Sequence, residues 1–241
     1  MATPKKILRS DVIGVIGDSI SSGFGSTDGW MFNFMPSVAV QNFGPVSGVN
    51  PLRQPVGYMA QRYPSFAIDA SPGRKVGDIS GTIATTLAPF IALRTTVYVV
   101  QLGTNDVAAL VPAATFATQV NTVVSAIRAA PFFKLLIWIG PGFTFENWPD
   151  GANAFDTVLD GIRDKDTQLA AAMAALPTDC AFVSWRTCRI NALNATTNPT
   201  HATTGIYTSD GTHPTSSPTS ANVVSGDNLL SSFTVPLLTF A

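Results

Sequence analysis

Short apolar runs alternate with segments of helical periodicity along most of the chain. Five of these runs have the length of buried strands, and they cover residues 12–16, 66–69, 96–102, 135–139 and 181–185. Strands that alternate with helices are typical of a mostly parallel sheet with helices on both faces. The pattern therefore predicts an α/β fold in a single domain over residues 1–241, because neither an internal repeat nor a linker interrupts it.

Two of the helical segments have a well-defined apolar face. Helices are expected over 112–130 and from Asn153 to Pro177. We expect these residues in the core: Phe116, Val120, Val123, Val124, Ile127, Phe155, Leu159, Ile162, Leu169, Met173 and Leu176.

Prolines and glycines mark the ends of the remaining predicted helices. A helix is expected after the glycine-containing turn at 71–78, and it should end before Pro89 because proline interrupts helical hydrogen bonding. A short helix is indicated between Gly29 and Val40, and a last one within 218–233.

Residues 26–65 are otherwise irregular and rich in glycine, proline and aromatic residues. They predict a long surface loop, and such loops in compact domains are often functional. Aromatic side chains such as Trp30 either anchor this loop to the core or line a binding site.

Charge and hydropathy exclude several classes of function. The 241 residues include 46% hydrophobic and 12% charged residues, and the net charge is -1. A nucleic-acid surface needs clustered basic residues, so no nucleic-acid partner is expected. No run has the length of a membrane span. Lys5 and Lys6 precede an apolar segment, as in a signal peptide, but that segment is only as long as a strand and no cleavage site follows.

The two cysteines, Cys180 and Cys188, bracket the last predicted strand. In an extended chain they would lie up to roughly 26 Å apart at about 3.3 Å per residue, whereas a disulfide needs Cα atoms within about 7 Å. We expect free thiols, unless the chain doubles back after Trp185. The pair does not form a set of metal ligands.

Three polar segments follow predicted elements and carry the residue types of acyl transfer. They contain Ser19, Asn105 and His213, and Asp210 stands three residues before the histidine. Loops after parallel strands gather at one edge of a sheet, so these segments can converge. A serine hydroxyl becomes nucleophilic when a neighbouring histidine takes its proton, and an aspartate can orient that histidine.

An oxyanion hole requires N–H donors that point at the tetrahedral intermediate. The Ser19 N–H, the Gly77 N–H and the side-chain amide of Asn105 are donors of the right type. Of the two histidines, His201 has no aspartate at a matching spacing, which leaves His213 as the candidate base. The segments contain no zinc motif and no nucleotide-binding loop, so neither a metal nor a cofactor is expected.

These segments resemble conserved blocks of the SGNH, or GDSL-type, hydrolase superfamily. Gly17-Asp18-Ser19 resembles block I, Gly103-Thr104-Asn105-Asp106 block III and Asp210-Gly211-Thr212-His213-Pro214 block V, in the family's order. The resemblance implies Ser19 as nucleophile, Asn105 as oxyanion donor, and Asp210 and His213 as triad partners. It also implies a three-layer α/β/α sandwich with five parallel strands.

Block II is matched less well, because the family pattern Asn-x-Gly-x-Ser-Gly-Asp is replaced by the sequence at 71–78. Gly77 is the preferred oxyanion glycine because Asp78 follows it, and Gly73 is the alternative. The lipase elbow Gly-x-Ser-x-Gly is absent, which disfavours the α/β-hydrolase fold.

The residues and the resemblance together predict a metal-independent serine esterase. The resemblance implies a small-molecule or carbohydrate ester with an acetyl or another short acyl group. Trp30, Phe143, Phe145 and Trp148 could stack on sugar rings. They could equally line a pocket for a longer acyl chain, as in a lipase or thioesterase. A non-catalytic glycan-binding module on the same fold is the rival from another class. Low charge and loops rich in Ser, Thr and Asn favour an extracellular or virion setting over the cytoplasm, and nothing indicates the oligomeric state.

Overall fold

A computed structural model describes residues 6–7, 10–19, 21, 40–42, 65–141, 164–176, 179–184 and 239–240. The strands are β1 (Lys6–Ile7), β2 (Val12–Gly17), β3 (Val40–Asn42), β4 (Ser65–Ala70), β5 (Val97–Gln101), β6 (Leu135–Ile139), β7 (Cys180–Val183) and β8 (Thr239–Phe240). The helices are α1 (Val76–Ala92), α2 (Thr104–Ala108), α3 (Ala113–Arg128) and α4, over 164–174.

The central sheet has the strand order β3-β4-β2-β5-β6-β7, and every pair of neighbours in it is parallel. In β2, Val15 pairs with Ile68 of β4 on one side and with Val99 of β5 on the other. The central position of β2 places its carboxyl end, and the residues after it, in the middle of one sheet edge. β1 and β8 form a separate parallel pair.

All five predicted strands are present, as β2, β4, β5, β6 and β7, and the predicted α/β fold is confirmed. The sheet also contains β3, in the stretch predicted to be a surface loop. That interpretation was wrong for these three residues. β3 pairs only with β4, at the edge of the sheet, and it is too short to show strand alternation in the sequence.

The sheet is covered on both faces. Consecutive residues of a strand point to opposite faces, and all five residues of β5 and all five of β6 are buried. The helices α1, α3 and α4 share one apolar core, which includes Phe90, Trp138 and Leu169. The five apolar residues predicted for the buried face of α3 are all buried, and so are Leu169 and Met173 of α4. The start of that predicted helix, with Phe155, Leu159 and Ile162, lies outside the described residues.

The predicted end of α1 before Pro89 was wrong, because the helix continues to Ala92. Pro89 carries no N–H, but its own carbonyl still accepts a hydrogen bond from Leu93 N–H. Phe90, the next residue, is fully buried and packs edge-on against the ring of Tyr98, with 6.0 Å between the centroids. The apolar packing of this last turn outweighs the proline. The backbone departs from helical angles further back, at Thr82.

No helix in the described ranges is long and apolar enough to span a membrane. Cys180 lies in β7 with its Sγ atom 3.7 Å from Asp179 Oδ1. Cys188 lies outside the described residues, as do the predicted helix after Gly29 and the one within 218–233. The state of the cysteines therefore stays a prediction.

Candidate active site

The turn after β2 carries the serine that the sequence singles out. Ser19 follows Gly17 and Asp18 directly, and it is buried with 8% of its surface exposed. The turn is tight, because a Cβ atom on Gly17 would collide with the hydroxyl of Ser21. That hydroxyl donates a hydrogen bond of 2.8 Å to Gln101 Oε1 at the end of β5. The end of the neighbouring strand thus holds the turn that presents Ser19.

The segment after β4 runs beside this turn. Ser71 N–H donates to the Gly17 carbonyl at 3.2 Å, one residue beyond the paired strands. Arg74 folds back on Asp69, donating to its carboxylate at 2.9 Å and to its backbone carbonyl at 2.8 Å. Gly73, at the tip of this turn, is exposed and has a φ of +77°. The Arg74–Asp69 pair fixes the direction in which the chain enters α1.

Two carboxylates bind the N–H groups at the start of α1. Asp78 Oδ2 accepts from Lys75 N–H at 2.8 Å, and the Asp106 oxygens lie 3.1 and 3.3 Å from Val76 N–H. The next N–H belongs to Gly77, in the first turn, where N–H groups have no acceptor within the helix. A Cβ atom on Gly77 would lie 2.8 Å from Gln119 Nε2 of α3. Glycine at this position leaves room for the end of the Gln119 side chain.

Asn105 lies between the turn that carries Ser19 and the turn that leads into α1. It belongs to α2, a short helix that the sequence pattern does not indicate. Its side-chain nitrogen donates to the Arg74 carbonyl at 3.1 Å and lies 3.5 Å from Asp18 Oδ2. The amide of Asn105 thus bridges the turn that carries Ser19 and the turn that leads to Gly77.

Asp106 is fully buried beside these groups. The pKa of its carboxyl is raised from 3.8 to about 6, mainly by burial and in smaller part by the charge of Asp78. Hydrogen bonds from Val76 N–H and its own N–H, together with the charge of Lys165, act in the opposite direction. Lys165 of α4 is itself 4% exposed, and its ammonium donates to the Val111 carbonyl and to Asp164. A carboxyl with this pKa changes its charge in mildly acidic solution.

The structure brings three of the predicted segments to one edge of the sheet, with Ser19, Gly77 and Asn105 in them. The predicted triad partners Asp210 and His213 lie outside the described residues, as do Trp30, Phe143, Phe145 and Trp148. The catalytic roles of all these residues stay predictions. Among the described residues, no group of three or more His, Cys, Asp or Glu side chains could hold a metal ion.

Sequence reasoning missed the contributions of Asp106 and Gln101. Asp106 stands next to Asn105 in a quoted motif, and its position in the first turn of α2 was the available signal. Its partner, however, is an N–H of a different helix, which no local pattern reveals. Gln101 is a fully buried polar residue at the end of an otherwise apolar strand, and that contrast was visible in the sequence.

Comparison with known proteins gives one family and a set of similar structures. The model of the GDSL-like lipase/acylhydrolase family matches residues 15–217. No curated protein matches the chain. A catalytic mutant of an acetylxylan esterase from Geobacillus stearothermophilus is 17% identical over 98% of each chain, with a TM-score of 0.61. A protein from Parabacteroides merdae classed as a GDSL-like lipase is 15% identical over 97% of this chain and 98% of its own, with a TM-score of 0.59. At these identities the likeness shows a shared fold.

Proposed function

The chain belongs to the GDSL-like lipase/acylhydrolase family, and on that basis we propose that it is a serine esterase with Ser19 as its nucleophile. One observation carries the proposal: the turns that hold Ser19, Gly77 and Asn105 meet at the carboxyl edge of the sheet. Three hydrogen-bond contacts join them, namely Ser71 N–H to Gly17, Asn105 to Arg74, and Val76 N–H to Asp106. Ligands of open α/β sheets bind at this edge.

In the proposed reaction Ser19 Oγ attacks the ester carbonyl carbon while His213 takes the hydroxyl proton, and Asp210 orients the imidazole. The carbonyl oxygen becomes an oxyanion, which accepts hydrogen bonds from Ser19 N–H, Gly77 N–H and the Asn105 amide. Collapse of the intermediate breaks the ester bond, and the alcohol leaves with the proton from His213. Water then attacks the acyl-enzyme and transfers a proton to His213, which returns the proton to Ser19 Oγ as the carboxylic acid leaves.

The hydrogen bonds of Asn105 support its role as an oxyanion donor. An amide nitrogen has two N–H bonds, and the bond to the Arg74 carbonyl uses one of them at 3.1 Å. The other contact, to Asp18, is long at 3.5 Å. We propose that the substrate oxyanion takes the place of this long contact, while the Arg74 carbonyl keeps the amide in position.

The substrate that we propose is an ester of acetate or another short acyl group, on a small alcohol or a carbohydrate. The structural neighbour from Geobacillus stearothermophilus is named for its action on acetylxylan, which favours this class. A lipase or thioesterase for longer chains is the second candidate, because the family name covers lipases. An extracellular or virion setting is proposed only on the composition of the loops.

A series of p-nitrophenyl esters from acetate to octanoate tests the proposed substrate class. We expect kcat/KM to be highest for acetate and to fall with chain length, because a site for a short acyl group excludes longer chains. A maximum at octanoate would contradict the short-acyl proposal and establish the second candidate. Turnover of none of these esters, or of acetylated xylo-oligosaccharides, by folded protein would favour the non-catalytic glycan-binding module.

Replacing Gly77 by alanine tests which glycine lies in the oxyanion hole. The added Cβ would meet the end of the Gln119 side chain, which can move aside, and would crowd an oxyanion bound at the Gly77 N–H, so we expect kcat to fall about 10-fold to 100-fold. Gly81→Ala is the matched control in the same helix, since a Cβ there meets no atom within 4 Å and kcat should stay unchanged. An unchanged kcat in Gly77→Ala would contradict the choice of Gly77 as the donor.

A further inference from the structure

We propose that Asp106 is a positioning residue: its carboxylate holds the first turn of α1 against α2, so that the Gly77 N–H and the Asn105 amide point at the same oxyanion. This inference rests on the proposed function, because it concerns the geometry of the same site. It assigns a separate role to a side chain that does not itself contact the substrate.

One hydrogen bond joins two residues that are each adjacent in sequence to a proposed oxyanion donor. Asp106 directly follows Asn105, and the atom that it binds, Val76 N, directly precedes Gly77. Each proposed donor is thus one residue away from a partner in this bond. The bond therefore fixes the distance between the Gly77 N–H and the Asn105 amide. Both carboxylate oxygens lie within 3.3 Å of Val76 N, so the contact persists if the carboxylate rotates slightly.

A second contact joins the same two segments, and together with the bond from Val76 N–H to Asp106 it forms a clamp between α2 and the start of α1. Asn105 donates to the Arg74 carbonyl, two residues before the N–H that Asp106 binds. The side chains of Asn105 and Asp106, consecutive residues in α2, thus bind residues 74–76 through a carbonyl and an N–H. Removing either contact leaves one hydrogen bond between residues 74–76 and α2, so the position of the first turn of α1 is less tightly fixed.

The negative charge of Asp106 matters for this clamp. A carboxylate accepts a stronger hydrogen bond than a neutral acid, and it also complements the partial positive charge of the N–H groups in the first turn of α1. The charged groups around it are Asp78 on α1, which opposes its ionisation, and Lys165 on α4, which favours it. Asp18, on the turn after β2, contacts Asn105. With its pKa raised to about 6, Asp106 loses its charge within the range in which enzymes are commonly assayed.

The carboxylate is unfavourable for folding, which argues for a role beyond structure. The pKa in the folded chain is about 6, above the ordinary 3.8, so the acid form is the one that folding favours. Between these two pH values unfolding releases a proton, and the stability conferred by the acid form is lost as the pH rises through this range. At neutral pH a neutral amide at this position avoids that cost while still accepting one hydrogen bond.

The test is Asp106→Asn, with Asp78→Asn as the matched control on the neighbouring carboxylate. Values of kcat and KM for p-nitrophenyl acetate are measured between pH 4.5 and 9, with proton release followed by pH-stat. For Asp106→Asn we expect kcat at pH 8 to fall about 10-fold with KM within twofold, because the weaker hydrogen bond of a neutral amide holds the first turn of α1 less tightly and the donors are misplaced but not removed. Asp78→Asn should leave kcat at pH 8 unchanged. It removes a negative charge that raises the pKa of Asp106, so the acidic side of the pH–activity profile should move to lower pH.

The pH profile separates positioning from a purely structural role. In the wild type, log kcat/KM should fall below pH 6 more steeply than one proton allows, because both His213 and Asp106 become protonated. The extra fall should amount to about 10-fold, the same factor by which Asp106→Asn lowers kcat, and it should be absent in Asp106→Asn, whose profile should fall with a slope of one throughout. Equal slopes in both proteins, or an unchanged kcat at pH 8, would overturn the inference and leave the esterase proposal intact. A wild type that hydrolyses no ester would overturn both.

Discussion

Replacing Ser19 by alanine is expected to lower kcat for p-nitrophenyl acetate by about 10⁴-fold to 10⁶-fold. Alanine cannot form the acyl-enzyme, so the residual rate would come from binding and from the oxyanion donors alone. The fold should persist, because Ser19 is a turn residue and alanine is no larger. Far-UV circular dichroism and a thermal midpoint near that of the wild type would show that the loss is chemical.

Ser21→Ala is the matched control, two residues along the same turn. The Ser21 hydroxyl is buried and donates to Gln101 Oε1, so its loss should lower the free energy of unfolding by about 1–2 kcal/mol. Activity should stay within a few-fold of the wild type under conditions where the protein is folded. The opposite result, with Ser21→Ala inactive and Ser19→Ala active, would place the nucleophile elsewhere.

Replacing His213 by glutamine is expected to lower kcat by a comparable factor, about 10⁴-fold to 10⁶-fold. Glutamine has a similar size and can still donate a hydrogen bond, but it cannot take the proton of Ser19. The chain contains two histidines, and His201→Gln is therefore a complete control. It should retain the activity of the wild type and the same acid limb in its pH profile. Loss of activity in His201→Gln alone would contradict the assignment of the base.

Most of the sheet could be predicted from the sequence, because buried parallel strands appear as short continuous apolar runs. The runs that became β5 and β6 are buried at every position, so their composition alone indicates strand. β3 escaped notice because three residues cannot show a period. The prediction at Pro89 was wrong for a different reason. Proline disfavours a helix, but burial of Phe90 in the core stabilises the last helical turn by more.

In the candidate site, only the residues that belong to a recognisable local segment could be predicted from the sequence. Ser19 and Asn105 follow apolar strands, and their positions at the sheet edge follow from the topology of parallel strands. The contacts of Asp106 with Val76, and of Ser21 with Gln101, join residues 30 and 80 positions apart. They depend on how α1, α2 and the strand ends pack in three dimensions, which residue periodicity does not encode.

The most direct test of the central claim is intact-mass analysis after reaction with a fluorophosphonate, comparing the wild type with Ser19→Ala. Such a reagent phosphonylates a serine only when a neighbouring base activates it. We expect one phosphonyl adduct on the wild type and none on Ser19→Ala. An unmodified wild type, shown to be folded by circular dichroism, would contradict the claim that Ser19 is an activated nucleophile.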